Sequence, residues 1–153
     1  MKKGLIVVFC IALGSSALGA GQSQAAVDVG SGDSFWTGLR AAIERHLGRP
    51  YVWGSAGMKS FDCSGFVWCV MMENGILTKR TTARKYYMML PKARPGDESR
   101  FGTVVFFDNL KHVGIVDTKS TFYHAQLSRG TNLSEFNSFW RQKIYGFRRM
   151  PVP

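Results

Sequence analysis

Four short apolar runs, all in the second half of the chain, constrain its fold more than any other feature. They are TVVFF at 103–107, HVGIVD at 112–117, TFYHA at 121–125 and KIYGFRR at 143–149, and brief turns such as DNLK and TKS separate the first three. Runs of this length bounded by turn residues predict β-strands. Because such short turns can join only antiparallel neighbours, we expect a C-terminal antiparallel sheet.

The first half of the chain has helical periodicity instead. Apolar residues at 35–47 fall on one helical face, and two further helices are predicted at 63–74 and 82–90. Asp62 directly precedes the second helix and is expected to cap it. Helices followed by an antiparallel sheet predict an α+β fold, which we expect to form one domain over residues 34–153.

The first 26 residues have the pattern of a secretory signal peptide. Two lysines precede an apolar run at 5–13, and small residues follow as far as Ala26. The apolar run is too short to span a bilayer. We therefore predict export to the periplasm, the cell wall or the extracellular space, with cleavage after Ala20 or, preferably, near Ala26, and a flexible lead-in at 27–33.

The net charge of +10 narrows the partners that such an exported chain can have. Strong positive charge attracts polyanions, whether nucleic acid, anionic lipid or the acidic polymers of a cell envelope. Export argues against nucleic acid, so anionic envelope polymers remain as candidate partners. The basic residues are scattered rather than gathered in one block, and a merely solvating surface is the simpler alternative.

Cysteine usage points to catalysis rather than to a disulfide framework. Loss of the signal peptide would remove Cys10 and leave Cys63 and Cys69. On one helix these two are about 9 Å apart along the axis, beyond disulfide distance. A free thiol in an oxidising compartment needs an explanation, which catalysis supplies for Cys63. Cys69 has apolar neighbours in sequence and is expected to be a small buried residue.

Cysteine peptidase chemistry needs a thiolate, a neighbouring imidazole and a polar group that orients the imidazole. At a helix start, the exposed N–H groups and the helix dipole should lower the pKa of Cys63 from its free value of ~8.5 and could stabilise an oxyanion. His112 opens one predicted strand and His124 lies near the end of the next. A hairpin could therefore bring the two imidazoles together.

Structural alternatives exist for each of these residues. Cys63 could be a small buried apolar residue, and His112 and His124 could satisfy ordinary hydrogen bonds in the sheet. The three could also bind zinc, although no CxxC, HxxxH or HExxH spacing supports a metal site. His46 lies near the end of the first predicted helix, where its simplest role is as a partner of the helix dipole.

Several blocks occur in the order seen in NlpC-type cell-wall peptidases, and the chain resembles that family over residues 43–149. The blocks are RPYVWGSAG, FDCSGFV, the RTT stretch at 80–82, GTVVFF, HVGIV and FYHA. The most specific element is DCSGF followed by HVGI and by a further histidine twelve residues after the first. One departure is Thr103, which stands where members commonly have aspartate and puts a turn or groove contact in doubt.

The resemblance implies a papain-like fold, with the nucleophile at a helix N-terminus packed against an antiparallel sheet. By position it assigns catalytic roles to three residues: Cys63 as nucleophile, His112 as general base and His124 as the group that orients the base. It also assigns substrate contacts to three residues: Tyr51, Asp62 and Ser64.

The function that the resemblance implies is that of a thiol protease acting on peptidoglycan. Its substrate would be the stem peptide, cut between γ-D-glutamate and a diamino acid through an acyl-enzyme, by a monomer without cofactor or metal. Related members instead open the cross-link between stems. Two further alternatives are a peptidoglycan-binding module of the same fold without turnover and an antibacterial effector that acts on a competitor's wall.

Overall fold

The structure is a computed structural model that describes residues 30–153, with side chains from residue 32 onwards. The signal peptide and cleavage region predicted at 1–26 lie outside the described residues, as does the start of the predicted lead-in. Within the described part, no helix has both the length and the apolar character that crossing a membrane requires.

The helices precede most of the strands along the chain. The helices are α1 (Gly30–Arg45), α2 (Cys63–Glu73), α3 (Ala83–Met89) and α4 (Ser138–Arg141), with 3-10 turns at Asp97–Ser99 and Asp108–Leu110. The strands are β1 (Ala56–Gly57), β2 (Ser60–Phe61), β3 (Val104–Phe107), β4 (His112–Val116), β5 (Thr121–Gln126), β6 (Gly130–Glu135) and β7 (Ile144–Arg148).

Five strands form one antiparallel sheet in the order β6-β5-β4-β3-β7, and β1 pairs with β2 in a small separate hairpin. This confirms the predicted α+β fold and its C-terminal antiparallel sheet. All four residues of β3 are buried, as expected for a central strand covered on both faces. Helix α2 packs against β4 and β5, so the helix that begins at Cys63 lies directly on the centre of the sheet.

Helix α2 can approach its surroundings closely because its third residue is Gly65. A Cβ atom there would lie 2.1 Å from the carbonyl oxygen of Ser55, far inside van der Waals contact. The residues of α2 from Cys63 to Met71 are buried with the exception of Trp68, which is partly buried. A helix that is apolar on nearly every side belongs in a core. The start of α2 is therefore held rigidly, which fixes the position of Cys63.

Two elements differ from their predicted bounds. Strand β6 was not predicted from its residue pattern, because its sequence GTNLSE is largely polar, and it pairs with β5 at the edge of the sheet. Helix α1 begins at Gly30, before the apolar residues at 35–47 from which it was predicted, so that Asp33 lies in its first turn. There the carboxylate complements the helix dipole.

Candidate active site

The start of α2 is built around the side chain of Asp62. Asp62 has the extended backbone of a cap residue, and its carboxylate accepts a hydrogen bond of 2.6 Å from the backbone N–H of Gly65. The predicted cap is therefore confirmed. A second backbone N–H, that of Gly54, donates to the other carboxylate oxygen at 2.9 Å. Asp62 thus joins the helix start to the preceding loop and leaves Cys63 as the first helical residue.

Arg80 completes this cap with a charge. One of its terminal nitrogens donates to both carboxylate oxygens of Asp62, at 2.7 and 2.6 Å, and the other donates to the hydroxyl of Ser64 at 2.9 Å. Ser64 in turn donates to Asp62 at 3.0 Å. Asp62 and Ser64 are buried, so these bonds occupy side chains that the resemblance assigns to substrate contacts. From the sequence, Arg80 was noted only as part of the RTT stretch at 80–82, and its pairing with Asp62 was not predicted.

The thiol of Cys63 is enclosed by the backbone that flanks His112. It donates to the carbonyl oxygen of Lys111 at 3.9 Å. Burial raises the pKa of the Cys63 thiol to about 11, and the nearby Asp62 carboxylate adds to this. The backbone N–H groups of Val113 and Ser64 and the charge of Arg80 act in the opposite direction but do not outweigh burial.

The direction of this pKa shift is opposite to the one expected from the sequence. A helix N-terminus does favour a thiolate, but desolvation of the sulfur is the larger effect when the thiol is buried. In the protein without substrate, Cys63 is therefore a neutral thiol at neutral pH.

Sheet register explains why His112 and His124 meet. Gly114 lies directly opposite His124, and His112 is two residues before Gly114 on the same face of β4. Diagonal neighbours of this kind lie within reach of long side chains. Because Gly114 has no side chain, His112 can extend across the empty position, and its Nε2 lies 2.7 Å from Nδ1 of His124. The structure therefore brings together two of the three residues predicted to be catalytic, and the thiol of the third, Cys63, contacts the backbone carbonyl of Lys111 next to His112.

The row of polar side chains continues onto β6. Asn132 lies opposite His124 in the register, and Ser134 is two residues further along the same face. Nε2 of His124 lies 2.9 Å from the hydroxyl of Ser134, which donates to Oδ1 of Asn132 at 2.9 Å. A line of hydrogen bonds therefore crosses three strands. Because β6 was not predicted, neither Ser134 nor Asn132 was found from the sequence.

The far end of this line sets the tautomer of His112. Asn132 donates its amide to the carbonyl oxygen of Gly130 at 2.9 Å, so its Oδ1 must accept from Ser134. The Ser134 hydroxyl then accepts from the N–H at Nε2 of His124, which leaves Nδ1 of His124 as an acceptor. Nε2 of His112 must therefore carry its proton, and Nδ1 of His112 keeps a free lone pair.

Both imidazoles are held in the neutral form. Burial lowers the pKa of His112 to about 4, although the charge of Asp108 opposes the shift. Burial also lowers the pKa of His124 to about 3, and the neighbouring His112 adds to it. A neutral imidazole with a lone pair at Nδ1 is the form that can accept a proton.

Trp140, on the short helix α4, covers this histidine pair. Its ring stacks on that of His112 with centroids 5.3 Å apart and meets the ring of His124 edge-on at 4.9 Å. Trp140, His112 and Tyr51 line a common groove, together with Lys111 and Gln126. Of the three residues predicted to bind substrate, Tyr51 thus lies in the groove. Trp140 was not predicted, since nothing near it in sequence marks it as part of a site.

The turn that leads into His112 is strained. Three consecutive residues, Asp108, Asn109 and Leu110, have positive φ angles of 50°, 53° and 67°. Asp and Asn tolerate this region, but a leucine there is unusual. Strain of this kind persists only where the surrounding structure holds it. The residue that follows this turn, Lys111, has its carbonyl oxygen 3.9 Å from the thiol of Cys63.

Thr103, the departure from the family pattern, has a structural role. Its buried hydroxyl donates to the carbonyl oxygen of Asp97 at 2.7 Å and so holds the 3-10 turn before β3. It is not among the residues that line the groove. The departure therefore alters a turn and leaves the groove untouched.

Converging metal ligands lie elsewhere in the molecule. Across residues 30–153, the one group of three side chains whose ligand atoms converge is His46, Cys69 and Glu73. At the predicted site, Nε2 of His112 and Nδ1 of His124 are engaged with each other. The arrangement there is a line of hydrogen bonds rather than a coordination shell.

Comparison with known proteins gives consistent matches. The profile of the NlpC/P60 family matches residues 48–149. The probable endopeptidase p60 of Listeria seeligeri is 34% identical over 114 residues, which cover 72% of this chain and 21% of that protein. The probable endopeptidase NlpC of Escherichia coli K12 is 32% identical over 119 residues, which cover 74% of this chain and 77% of that protein.

A solved structure agrees with these matches. A protein of the NLP/P60 family from Staphylococcus aureus Mu50, described as similar to lipoprotein, superposes with a TM-score of 0.68 at 28% identity. The match covers 79% of this chain and 43% of that one. The chain spans only 21% to 31% of the length of several curated relatives that it matches.

Proposed function

The chain belongs to the NlpC/P60 family, and from that premise we propose that it is an exported cysteine endopeptidase of peptidoglycan. Its substrate is the stem peptide, and the bond cut is the amide between γ-D-glutamate and a diamino acid. The observation that carries the proposal is the line of hydrogen bonds from His112 through His124 to Ser134, which begins beside the thiol of Cys63.

Cys63 is the nucleophile and His112 the general base in this mechanism. As the sulfur attacks the carbonyl carbon of the scissile amide, the S–H proton passes to the lone pair at Nδ1 of His112, and an S–C bond forms. The backbone N–H groups at the start of α2 stabilise the developing oxyanion. Because burial raises the pKa of the Cys63 thiol, the proposed transfer accompanies the attack of the sulfur on the substrate.

Transfer of this proton to the leaving group completes the first half of the reaction. His112 gives it to the leaving amine as the C–N bond breaks, which leaves a thioester on Cys63. Water adds to the thioester with His112 again as base, the S–C bond breaks, His112 returns the proton to the sulfur, and the carboxylic acid product leaves. Throughout, His124 orients the imidazole of His112 and stabilises its positive charge through the 2.7 Å bond at Nε2.

Substrate contacts divide between the groove and the helix start. Tyr51 lies in the groove and contacts the stem peptide beside the nucleophile. Asp62 and Ser64 contribute mainly through the network with Arg80, because their side chains are buried in the protein without substrate. The guanidinium is the one positive group of that network and would pair with a carboxylate of the stem.

The experiment that tests this function follows the products of defined stem peptides by mass spectrometry. Cys63→Ala removes the nucleophile, and we expect loss of hydrolysis to the uncatalysed background while circular dichroism shows an intact fold. The matched control is Met72→Ala, a larger truncation at a partly exposed position of the same helix, which should keep activity. Undiminished cleavage by Cys63→Ala would refute the assignment. Binding of stem peptides by the unmodified protein without any cleavage would favour the binding module instead.

A further inference from the structure

A second group of ionisable side chains lies on another face of α2, about 120° around the helix from Cys63. Cys69 and Glu73 are four residues apart on α2 and therefore project from the same face. His46, which follows the end of α1, approaches them from the neighbouring helix. Nothing in the proposed hydrolysis uses these three residues.

The three side chains meet at one point. The Cys69 sulfur lies 3.6 Å from Nε2 of His46 and 3.6 Å from Oε1 of Glu73, and that nitrogen and oxygen are 2.6 Å apart. Both the thiol and the carboxylate contact the same imidazole nitrogen. A catalytic triad uses the two ring nitrogens for different partners, so this arrangement is not a relay. Convergence of three donor atoms is the geometry of a coordination shell.

The separations match a zinc site closely. With Zn–S near 2.3 Å and Zn–N or Zn–O near 2.0 Å in a tetrahedron, sulfur lies roughly 3.5 Å from each of the lighter ligand atoms, and nitrogen roughly 3.3 Å from oxygen. The two distances from Cys69 already have this length. Only the pair formed by His46 and Glu73 must open, by roughly 0.7 Å, when a metal replaces the proton that they share.

The ligands are held in place before any metal binds. His46 is only 2% exposed, and its ring packs edge-on against Phe61 with centroids 5.1 Å apart. Its backbone carbonyl accepts a hydrogen bond from the hydroxyl of Thr131. Cys69, 8% exposed, is fixed by the core around α2. Little conformational entropy would therefore be lost on binding.

Solvent reaches the cluster at Glu73. The Glu73 side chain is 30% exposed, so a water molecule from solvent is the natural fourth ligand. Arg45 lies 3.2 Å from the other carboxylate oxygen, Oε2, and is itself largely exposed. Because Arg45 uses Oε2, Oε1 stays available for a metal. A catalytic role for such an ion is not required, since it would join α1 to α2 at a distance from the groove.

We propose that His46, Cys69 and Glu73 bind one zinc ion, with water as the fourth ligand. The set of thiolate, imidazole and carboxylate suits zinc and not the harder magnesium or calcium. On binding, the Cys69 S–H bond breaks, the proton leaves to solvent and an S–Zn bond forms. The proton between Nε2 of His46 and Glu73 is displaced to solvent, and Nδ1 carries the remaining N–H, so that the neutral imidazole binds zinc through Nε2. The ion clamps the end of α1 to the helix that carries Cys63.

Zinc stoichiometry in the full chain, purified without an affinity histidine tag, tests the site. After dialysis against a small excess of zinc, we expect one ion per chain in the unmodified protein and in Cys63→Ala. Cys69→Ser and His46→Gln should bind none. Thermal unfolding should move to higher temperature with zinc in the first pair of proteins and stay unmoved in the second. Loss of the ion from Cys63→Ala, with retention by Cys69→Ser, would overturn the proposal.

Cobalt gives a measurement that does not depend on the folding of ligand variants. In the double variant Cys10→Ser with Cys63→Ala, Cys69 is the only thiol left in the sequence. Added Co²⁺ should produce the near-ultraviolet charge-transfer band of a thiolate bound to cobalt and the intense visible bands of a tetrahedral site. Absence of both from this folded protein would end the proposal. The failure of this test would leave the hydrolysis assigned to Cys63 unaffected, because the two experiments share no ligand and no readout.

Discussion

Helix α2 carries two cysteines, Cys63 beside the backbone that leads into His112 and Cys69 beside the imidazole of His46, yet their surroundings have opposite forms. The thiol of Cys63 contacts the backbone carbonyl of Lys111, next to a line of hydrogen bonds that runs from His112 through His124 to Ser134. Cys69 lies in a cluster in which its sulfur and the Glu73 carboxylate contact the same nitrogen of His46. A line can orient an imidazole so that its free nitrogen accepts a proton, whereas a cluster can share a proton or replace it with a metal. Residue types alone therefore do not distinguish the two sites.

The difference arises from the elements that supply each site. Strands place side chains on one face at regular intervals, so that neighbouring strands form a row. Helices α1 and α2 meet near the end of α1, where one imidazole faces two side chains from successive turns. Sheet register produced the line of hydrogen bonds from His112 to Ser134, and helix packing produced the proposed coordination site.

The largest expected effect is on kcat and distinguishes His112 from His46. His112→Ala removes the proposed base, and we expect the kcat of stem-peptide hydrolysis to fall roughly 100- to 10,000-fold. Steady-state kinetics on a defined stem peptide measures the loss. His46→Ala, tested in parallel, should fall much less, because His46 takes no part in proton transfer. An equal fall for His46→Ala in a protein that remains folded would break the comparison.

A smaller effect on kcat is expected at Ser134, the end of the line of hydrogen bonds. Ser134→Ala removes the acceptor for the N–H of His124, at a cost of about 1–3 kcal/mol for a buried group left unsatisfied. If that cost falls on the transition state, kcat decreases by a factor of about 5 to 150.

The control for this variant is Ser120→Ala, at an exposed turn between β4 and β5. It removes a serine hydroxyl next to the same sheet without touching the line of hydrogen bonds and should leave kcat unchanged. A decrease for Ser134→Ala that appears only in KM would contradict a role in orienting the base.

The pH dependence of stability gives the smallest effect and tests whether the histidine pair is buried in the neutral form. The pKa of His112 is lowered to about 4 and that of His124 to about 3, whereas an unfolded chain has histidine pKa values of ~6.5. Below pH 6.5 the unfolded state binds protons that the folded state does not. The free energy of unfolding therefore decreases as pH falls from 6.5 towards 4, by at most about 1.4 kcal/mol per pH unit for each imidazole.

Urea unfolding between pH 7 and pH 4.5 measures this slope. His124→Gln removes one of the two imidazoles and should reduce the slope while preserving a polar side chain in the sheet. A slope that is the same in both proteins would show that His124 is not held neutral by burial.

The main elements of the fold were predictable because local sequence and tertiary environment agree. The runs at 103–107, 112–117 and 121–125 form strands, and Asp62 caps the helix that it precedes. Strand β6 was missed because its residues alternate without a clear apolar face, as suits an edge strand. The polar residues that prevented prediction of this strand include Ser134, which lies at the end of the line of hydrogen bonds from His112.

The properties of both cysteines depend on residues distant in sequence. Cys69 is buried as predicted, but its apolar sequence neighbours gave no sign of His46, which is 23 residues away. The thiol of Cys63 was expected to have a lowered pKa, a prediction that was wrong in direction. Helix position is visible in a sequence, whereas desolvation by packing against β4 is not.

Gly114 has no side chain that could form a hydrogen bond. The spacing between β4 and β5 at the two imidazoles nevertheless depends on it. A methyl group there would meet the carbonyl oxygen of Tyr123 at 2.7 Å and the Cβ of His124 at 3.3 Å. Any replacement would push β4 away from β5 and widen the gap that the two imidazoles bridge. Variants of the groove designed to alter selectivity should therefore keep Gly114. Gly114→Ala, in contrast, is expected to impair turnover without changing any of the groups that react.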